Sequence, residues 1–175
     1  MTFKIRIVFI AIISLFIIGC SSESAEIEIT DFQLEDNNGK TVSLYQTLSE
    51  NDSVILVFFR GHFWGICRAQ LVELQESYPE IQSLDAELFA ISMDDIYDTT
   101  SLSLALKLDY SVLSDPDAYV TKKYGVFNLL GDGVATPAVF IIDSNKTLTW
   151  SYIGGDISDR ADVKDILSNT PVKYQ

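Results

Sequence analysis

The segment SVILVFFRGHFWGICRAQL, residues 53–71, joins two patterns of different period around one thiol. Residues 53–59 are mostly β-branched or aromatic and carry no charge, which is typical of a central strand covered on both faces. From Cys67 onward, apolar residues recur at helical spacing. The apolar residues that lie on one face of this helix are Leu71, Leu74, Tyr78 and Ile81. The segment therefore predicts a buried strand, a loop and an amphipathic helix with Cys67 in its first turn.

Cys67 stands at a position where a thiol is easily ionised. A side chain in the first turn of a helix lies near unpaired N–H groups and the positive end of the helix dipole, and both favour the thiolate. Arg60 and Arg68 add positive charge nearby in the sequence. The alternative interpretation is that Cys67 is only a small buried apolar residue. The surrounding pattern favours a reactive cysteine.

The first twenty residues, MTFKIRIVFIAIISLFIIGC, have the pattern of an export signal. Lys4 and Arg6 precede an apolar core that ends at Gly19 and Cys20, which resembles a bacterial lipoprotein signal. The resemblance implies cleavage before Cys20 and attachment of diacylglycerol to its sulfur. A transmembrane helix is the alternative, and the short apolar core with its IIGC ending argues against it.

This pattern divides the chain into three parts. Residues 1–19 are predicted to be a signal peptide, residues 20–28 a lipid-anchored tether, and residues 29–175 a single domain. The protein is then exported and anchored to a bacterial cell membrane through lipid on Cys20. Whether this is the inner or the outer membrane stays open.

The charge of the chain excludes one class of partner. Its 25 acidic residues outnumber 12 basic ones, and loss of Lys4 and Arg6 with the signal would change the formal charge from −13 to −15. Nucleic acid is therefore not an expected partner.

Predicted strands alternate with predicted helices, which indicates an α/β domain with a mixed central sheet flanked by helices. An N-terminal hairpin is expected around the turn Asn37-Asn38-Gly39. Helices are expected over 99–108 and 118–124, the second closed by Gly125. A last helix is expected from a cap at Ser158 or Asp159 to about Ser168.

The order VILVFF, Cys-helix, LFAISMD, LSDPD, TPAVFIID, TLTWSYIG resembles the thioredoxin fold of the peroxiredoxin (AhpC/TSA) superfamily, from about Ile29 to the C-terminus. The loop Arg60 to Cys67 is similar to the Arg-Gly-x-Trp-Cys-Pro-x-Cys loop of bacterial redoxins. Cys67 matches the second Cys, which is the peroxidatic position, and Trp64 replaces the first. The resemblance implies a thiol that attacks peroxide, an external thiol reductant, and no bound cofactor.

The chain also departs from the family pattern. Peroxiredoxins carry Pro-x-x-x-Thr/Ser-x-x-Cys, and Arg60 and Trp64 stand at the Pro and Thr positions here. Pro137 stands where those enzymes have a distant arginine. Thr136-Pro137 instead resembles the Thr-Pro turn of thioredoxins, which implies a cis proline packed against the active cysteine.

These matches and departures define the candidate site. Arg60 is expected to replace the missing arginine beside the thiolate, with a surface arginine as the alternative. His62, the single histidine, is a candidate base, with an exposed bystander as the alternative. A substrate pocket is expected from Phe63, Trp64, Thr136 and Pro137, although simple packing also explains the two aromatic residues.

Other kinds of site find little support. One histidine and one free thiol make no His/Cys metal site, the carboxylates form no calcium-loop pattern, and no metal is expected. Gly131-Asp132-Gly133 lacks the context of a phosphate loop and is interpreted as a plain loop.

Three functions are compatible with these residues. The first is a one-Cys thiol peroxidase, in which Cys67 becomes a sulfenic acid that an external thiol resolves. The second is a thiol-disulfide reductase that acts on exported proteins. The third is a non-enzymatic lipoprotein module with a degenerate redoxin fold. Oligomeric state, the substrate and the reductant are not determined by the sequence.

Overall fold

The computed structural model describes residues 29–172. Within this range the strands are β1 Gln33–Asp36, β2 Thr41–Ser43, β3 Ser53–Phe58, β4 Ala86–Ser92, β5 Ser111–Ser114, β6 Ala138–Asp143 and β7 Leu148–Ile153. The helices are α1 Leu44–Glu50, α2 Gly65–Ser83, α3 Ile96–Leu106, α4 Tyr119–Lys123 and α5 Val163–Asn169. The predicted signal, the tether and Cys20 lie outside the described residues.

The strands form one mixed sheet in the order β2-β1-β5-β4-β3-β6-β7. β3, β4 and β5 run parallel in its centre, whereas β6 and β7 continue it on one side with antiparallel pairing. The predicted N-terminal hairpin β1-β2 joins the other side, because β1 pairs antiparallel with β5. Since β3 and β4 are parallel neighbours, the loops that follow them lie side by side at one end of the sheet.

Helices cover both faces of the sheet, which confirms the predicted layering. Ile55 and Val57 of β3 share a core with α2, α3 and α5. The alternate residues Val54, Leu56 and Phe58 share a second core with α1 and α4. Both faces of β3 are therefore shielded from water, and this explains why its sequence is apolar without alternation.

Several predicted elements match the structure, and the differences concern helix ends and one helix that was not predicted. α3 begins at Ile96 and not at residue 99, because the Asp95 side chain accepts a hydrogen bond from Asp98 N at 2.9 Å and caps the helix there. α1 was not predicted. Its start depends on the Ser43 side chain, which accepts from Gln46 N.

The predicted cap of the last helix is wrong. Asp162, not Ser158 or Asp159, caps α5. Both expected residues are engaged within the preceding loop, where their N–H groups donate to Asp156 Oδ1. The carboxylate of Asp159 also accepts from the hydroxyl of Tyr152. None of the helices between residues 29 and 172 has the length and apolarity that a membrane span requires.

Candidate active site

Cys67 is the third residue of α2 and the one cysteine among the described residues. The first helical hydrogen bond of this turn is donated by Arg68 N to Trp64 O at 3.0 Å. The N–H groups before it lack partners one turn back in the helix, so they present positive partial charge around the thiol. The side chain of Cys67 is only 4% exposed and packs in the core beneath α2.

The pKa of the Cys67 thiol lies above its ordinary value, which corrects the expectation of an easily ionised thiol. Burial is the largest cause, because it removes the water that would solvate a thiolate. Backbone hydrogen bonding at Arg60, the charge of its guanidinium and a backbone hydrogen bond from Gly61 all lower the pKa, but together they do not offset burial.

This direction predicts how the reactivity of Cys67 changes with pH. The thiolate is the nucleophile, and below the pKa its fraction rises about tenfold per pH unit. We therefore expect the rate of Cys67 alkylation by iodoacetamide to climb from about pH 7 to about pH 9 without a plateau. Mass spectrometry of the peptide that contains Cys67 measures this rate. A plateau below about pH 8 would show that the positive groups around the sulfur outweigh burial.

Arg60 follows the end of β3 and is buried, so the interpretation as a surface arginine is wrong. Its Nη2 donates to Asp132 Oδ2 at 2.5 Å, and its guanidinium carbon lies 4.5 Å from the centre of the Trp64 ring. Nε and Nη1 are buried without a hydrogen-bond partner among the described residues. Arg60 thus holds two unused donors beside a thiol whose pKa it lowers.

Asp132 is a site residue that the sequence did not reveal. It lies in a tight loop where Gly131 and Gly133 have φ of +78° and +80°, conformations that favour glycine. The Asn128 side chain closes the loop by accepting from Gly133 N at 2.6 Å. Burial raises the pKa of Asp132, but the hydrogen bond from Arg60 and the other contacts outweigh it and lower the pKa overall. The Gly-Asp-Gly pattern, interpreted as a plain loop, was the available signal.

The two aromatic residues of the loop have different surroundings. Trp64 is half-buried beneath the Arg60 guanidinium and occupies the N-cap position of α2. Its Nε1 is buried and has no hydrogen-bond partner among residues 29–172. Phe63 is 66% exposed, and its ring centre lies 5.6 Å from that of Trp64. Trp64 therefore lines the space around Arg60, whereas Phe63 faces solvent at the rim.

Thr136 and Pro137 are buried where β6 begins, near the end of β3 that leads to Arg60. The expected cis proline is wrong, because the described residues contain no cis peptide bond. Thr136 N donates to Val126 O and Gly154 N donates to Pro137 O, both at 2.8 Å, so flanking segments fix the backbone on both sides. The Thr136 hydroxyl is another buried group without a hydrogen-bond partner in the described chain.

His62 is bound to carboxylates, and no contact between its ring and Cys67 is seen. Its Nδ1 lies 2.9 Å from Asp94 Oδ1, and its backbone N–H donates to Asp94 Oδ2 at 2.8 Å. The hydrogen bond to Asp94 is the main cause that raises the pKa of His62, with further contributions from the charges of Asp98 and Asp95. Gly61 makes this close approach possible, since a Cβ there would lie 3.1 Å from Asp94 Oδ1.

Arg160 is a second basic group that the sequence did not assign to the site. Its Nη1 donates to Ile66 O at 2.8 Å in the first turn of α2, and its Nη2 lies 3.3 Å from Glu73 Oε1. Its charge lowers the pKa of Cys67. The Asp-x-x-x-Arg pattern that ends at Arg160 was visible in the sequence, but nothing there related it to the thiol.

Comparisons of sequence with known proteins converge on one family. The profile of the AhpC/TSA family matches residues 26–151. Alkyl hydroperoxide reductase E of Mycobacterium tuberculosis is 30% identical over 134 residues, which cover 74% of this chain and 86% of the relative. Chloroplastic peroxiredoxin Q of Arabidopsis thaliana is 30% identical over 122 residues, which cover 70% of this chain and 56% of the relative.

Solved structures share the fold. Peroxidoxin BcpB of Mycobacterium tuberculosis superposes with a TM-score of 0.71 at 22% identity, over 80% of this chain and 91% of that protein. AhpC of Enterococcus faecalis superposes with a TM-score of 0.72 at 23% identity, over 79% of this chain and 85% of that protein. These similarities confirm the predicted single thioredoxin-like α/β domain.

Proposed function

Because this chain belongs to the AhpC/TSA family of peroxiredoxin-like thiol peroxidases, we propose that it is a one-Cys enzyme in which Cys67 attacks peroxide. The Cys67 thiolate bonds to one peroxide oxygen and the O–O bond breaks. The released oxygen takes a proton and leaves as water or an alcohol, and Cys67 becomes a sulfenic acid. Two external thiols then reduce it, giving a disulfide, water and the free thiol.

The observation that carries this proposal is the pair of unused donors on buried Arg60. A peroxide O–O bond that breaks places negative charge on the departing oxygen, and a fixed donor near that oxygen lowers the barrier. Nε and Nη1 of Arg60 are available for this role because Asp132 accepts only from Nη2. In this proposal Arg60, at the end of β3, donates hydrogen bonds to the departing oxygen. In the family pattern an arginine at the position of Pro137 has this role.

Reagents that trap sulfenic acid test the proposal. Reduced protein exposed to one equivalent of hydrogen peroxide should bind a 1,3-dione reagent at Cys67, as detected by peptide mass spectrometry. Dithiothreitol added before the reagent should remove the signal. Peroxide treatment that leaves Cys67 as a free thiol would contradict the proposal.

A thiol-disulfide reductase for exported proteins is the second candidate. The resemblance of Thr136-Pro137 to the Thr-Pro turn of thioredoxins supports it, because Cys67 would form a mixed disulfide with a partner protein held near this segment. The trans peptide bond weakens this candidate, since the resemblance to thioredoxins implied a cis bond.

The third candidate is a module without redox activity. The 4% exposure of Cys67 and its raised pKa favour it, because a buried neutral thiol reacts slowly. The sulfenic acid experiment separates it from the peroxidase. A Cys67 that reacts with neither peroxide nor a small disulfide would favour this candidate.

We also propose that the protein is exported and anchored to a bacterial membrane by lipid on Cys20. Support comes from the Lys4 and Arg6 charges, the apolar core and the Gly19-Cys20 ending. The domain carries a large excess of acidic residues, so its surface would be repelled by anionic lipids. The anchor would then have to hold it at the membrane.

A Cys20→Ser variant should lose membrane association while its domain folds normally, because Cys20 lies outside the described domain and a lipid chain is the proposed anchor. Sedimentation of membranes after cell lysis measures the association, and circular dichroism of the purified variant measures folding. A Cys67→Ser variant is the matched control and should stay with the membranes. Mass spectrometry that finds Cys20 unmodified in the native protein would contradict the anchor.

A further inference from the structure

We propose that His62, Asp94 and Asp98 form a binding site for a divalent transition metal ion, with Zn²⁺ as the ion that fits it best. The cluster does not include Cys67, and metal binding there does not depend on the proposed peroxidase activity. It combines one imidazole with two carboxylates, and one ligand atom from each residue lies within 4.8 Å of the others.

The distances suit a small ion. In a tetrahedral zinc site with bonds of about 2.0–2.1 Å, neighbouring ligand atoms lie about 3.3 Å apart. His62 Nδ1 lies 2.9 Å from Asp94 Oδ1 and 3.6 Å from Asp98 Oδ2, on either side of that value. Shifts of a few tenths of an ångström bring both pairs to zinc geometry. The ion replaces the proton that His62 Nδ1 shares with Asp94.

One of the three ligands, Asp94, is held in place by hydrogen bonds to its other carboxylate oxygen. The Asp94 side chain is 10% exposed, and its Oδ2 accepts from the backbone of His62 and from Ser92 Oγ, both at 2.8 Å. These bonds leave Oδ1 directed at His62. Hydrogen bonds of this kind fix the orientation of a ligating carboxylate and raise the affinity of the site.

The donor set excludes the hard ions. Ca²⁺ takes six to eight oxygen ligands and Mg²⁺ takes octahedral oxygen ligands, whereas this cluster offers one nitrogen and two oxygens. Imidazole with carboxylate suits Zn²⁺ and its first-row neighbours. The two carboxylates balance the charge of a divalent ion, and three protein ligands leave one position for water.

The place of the cluster in the fold connects it to the thiol. His62 belongs to the loop after β3, and Asp94 belongs to the loop after the parallel neighbour β4. Asp98 stands in the first turn of α3. A bound ion therefore ties the loop that leads to Cys67 to two other segments, and it does so five residues before the sulfur.

Metal titration of the full-length protein, purified in detergent without a polyhistidine tag and kept reduced, tests the site. Isothermal titration with Zn²⁺ should give one ion per chain. Co²⁺ should give the visible absorption of a low-coordinate oxygen and nitrogen site. His62→Ala and Asp98→Asn should each weaken Zn²⁺ binding at least about tenfold. Both side chains are partly exposed, so neither substitution removes core packing.

Two control variants make the result specific. Asp117→Asn removes the same charge from an exposed position and should leave the affinity unchanged. Cys67→Ser should also bind normally, because the thiol is not a ligand. The proposal is overturned if Zn²⁺ binding is not saturable, if His62→Ala and Asp98→Asn bind as the wild type does, or if Cys67→Ser loses binding. No peroxide is present, so a failure here leaves the peroxidase proposal intact.

Discussion

Peroxide consumption with dithiothreitol as reductant is expected to fall to the rate without protein when Cys67 is replaced by serine. A serine hydroxyl stays protonated at neutral pH and does not attack peroxide oxygen. Cys20 is the only other cysteine of the chain, and lipid on its sulfur would block it. A spectrophotometric peroxide assay on both proteins measures the loss.

A Cys20→Ser variant is the matched control and should keep the full rate in detergent. Peroxide treatment of the wild-type protein shows how oxidised Cys67 is resolved. Wild-type protein treated with peroxide should contain sulfenic acid or an intermolecular disulfide and no bridge from Cys67 to Cys20. Peroxidase activity that survives in Cys67→Ser, or an internal Cys20–Cys67 disulfide, would disprove the one-Cys mechanism.

Replacement of Arg60 by alanine should slow sulfenic acid formation about 100- to 1,000-fold, the usual effect of removing one donor from a developing anion. This corresponds to about 3–4 kcal/mol of transition-state stabilisation. The reaction of Cys67 with a small disulfide should slow much less, because it mainly needs thiolate and access. Stopped-flow measurements with peroxide and with an aromatic disulfide give the two rates.

Two further variants distinguish the effect of the guanidinium's hydrogen-bond donors from the effect of positive charge alone. Arg68→Ala removes a positive charge next to Cys67 in sequence, and Arg68 is not among the largest causes that shift the thiol's pKa, so little change is expected. Arg60→Lys keeps the positive charge but loses the planar set of N–H donors. Its Cys67 should react with peroxide at a rate between those of the wild type and Arg60→Ala. Equal, small effects on both reactions of Arg60→Ala would remove Arg60 from the mechanism and favour the reductase.

The sheet and the start of the Cys67 helix were predictable because local patterns determine them. β3 is apolar throughout since both of its faces are covered, and the period changes where α2 begins. Helix ends were less predictable. Asp95 and Asp162 cap α3 and α5 through short local hydrogen bonds, and nearby acidic and hydroxyl residues offered competing choices.

The candidate site was predictable only in part because its contacts cross long stretches of sequence. Asp132 reaches Arg60 across 72 positions, and Arg160 reaches Ile66 across 94. The cluster of His62 with Asp94 depends on β3 and β4 being parallel neighbours. The expectation of no metal rested on scarce His and Cys and on the lack of a calcium-loop pattern, and the sequence gives no sign that Asp94 lies beside His62. The direction of the Cys67 pKa was missed because burial depends on the whole core.

The start of α2 has a dynamic consequence. Trp64 occupies the N-cap, and its indole accepts no hydrogen bond from the backbone, whereas side chains cap α1, α3 and α5. A missing cap of this kind costs about 0.5–2 kcal/mol, so the first turn of α2 frays more readily than the rest of the helix. We expect fraying to expose the sulfur without unfolding of the domain, so that the rate at which Cys67 reacts equals the open fraction multiplied by the intrinsic rate of the exposed thiolate. A capping residue at position 64 would stabilise this turn and shorten the time that the sulfur spends in contact with solvent.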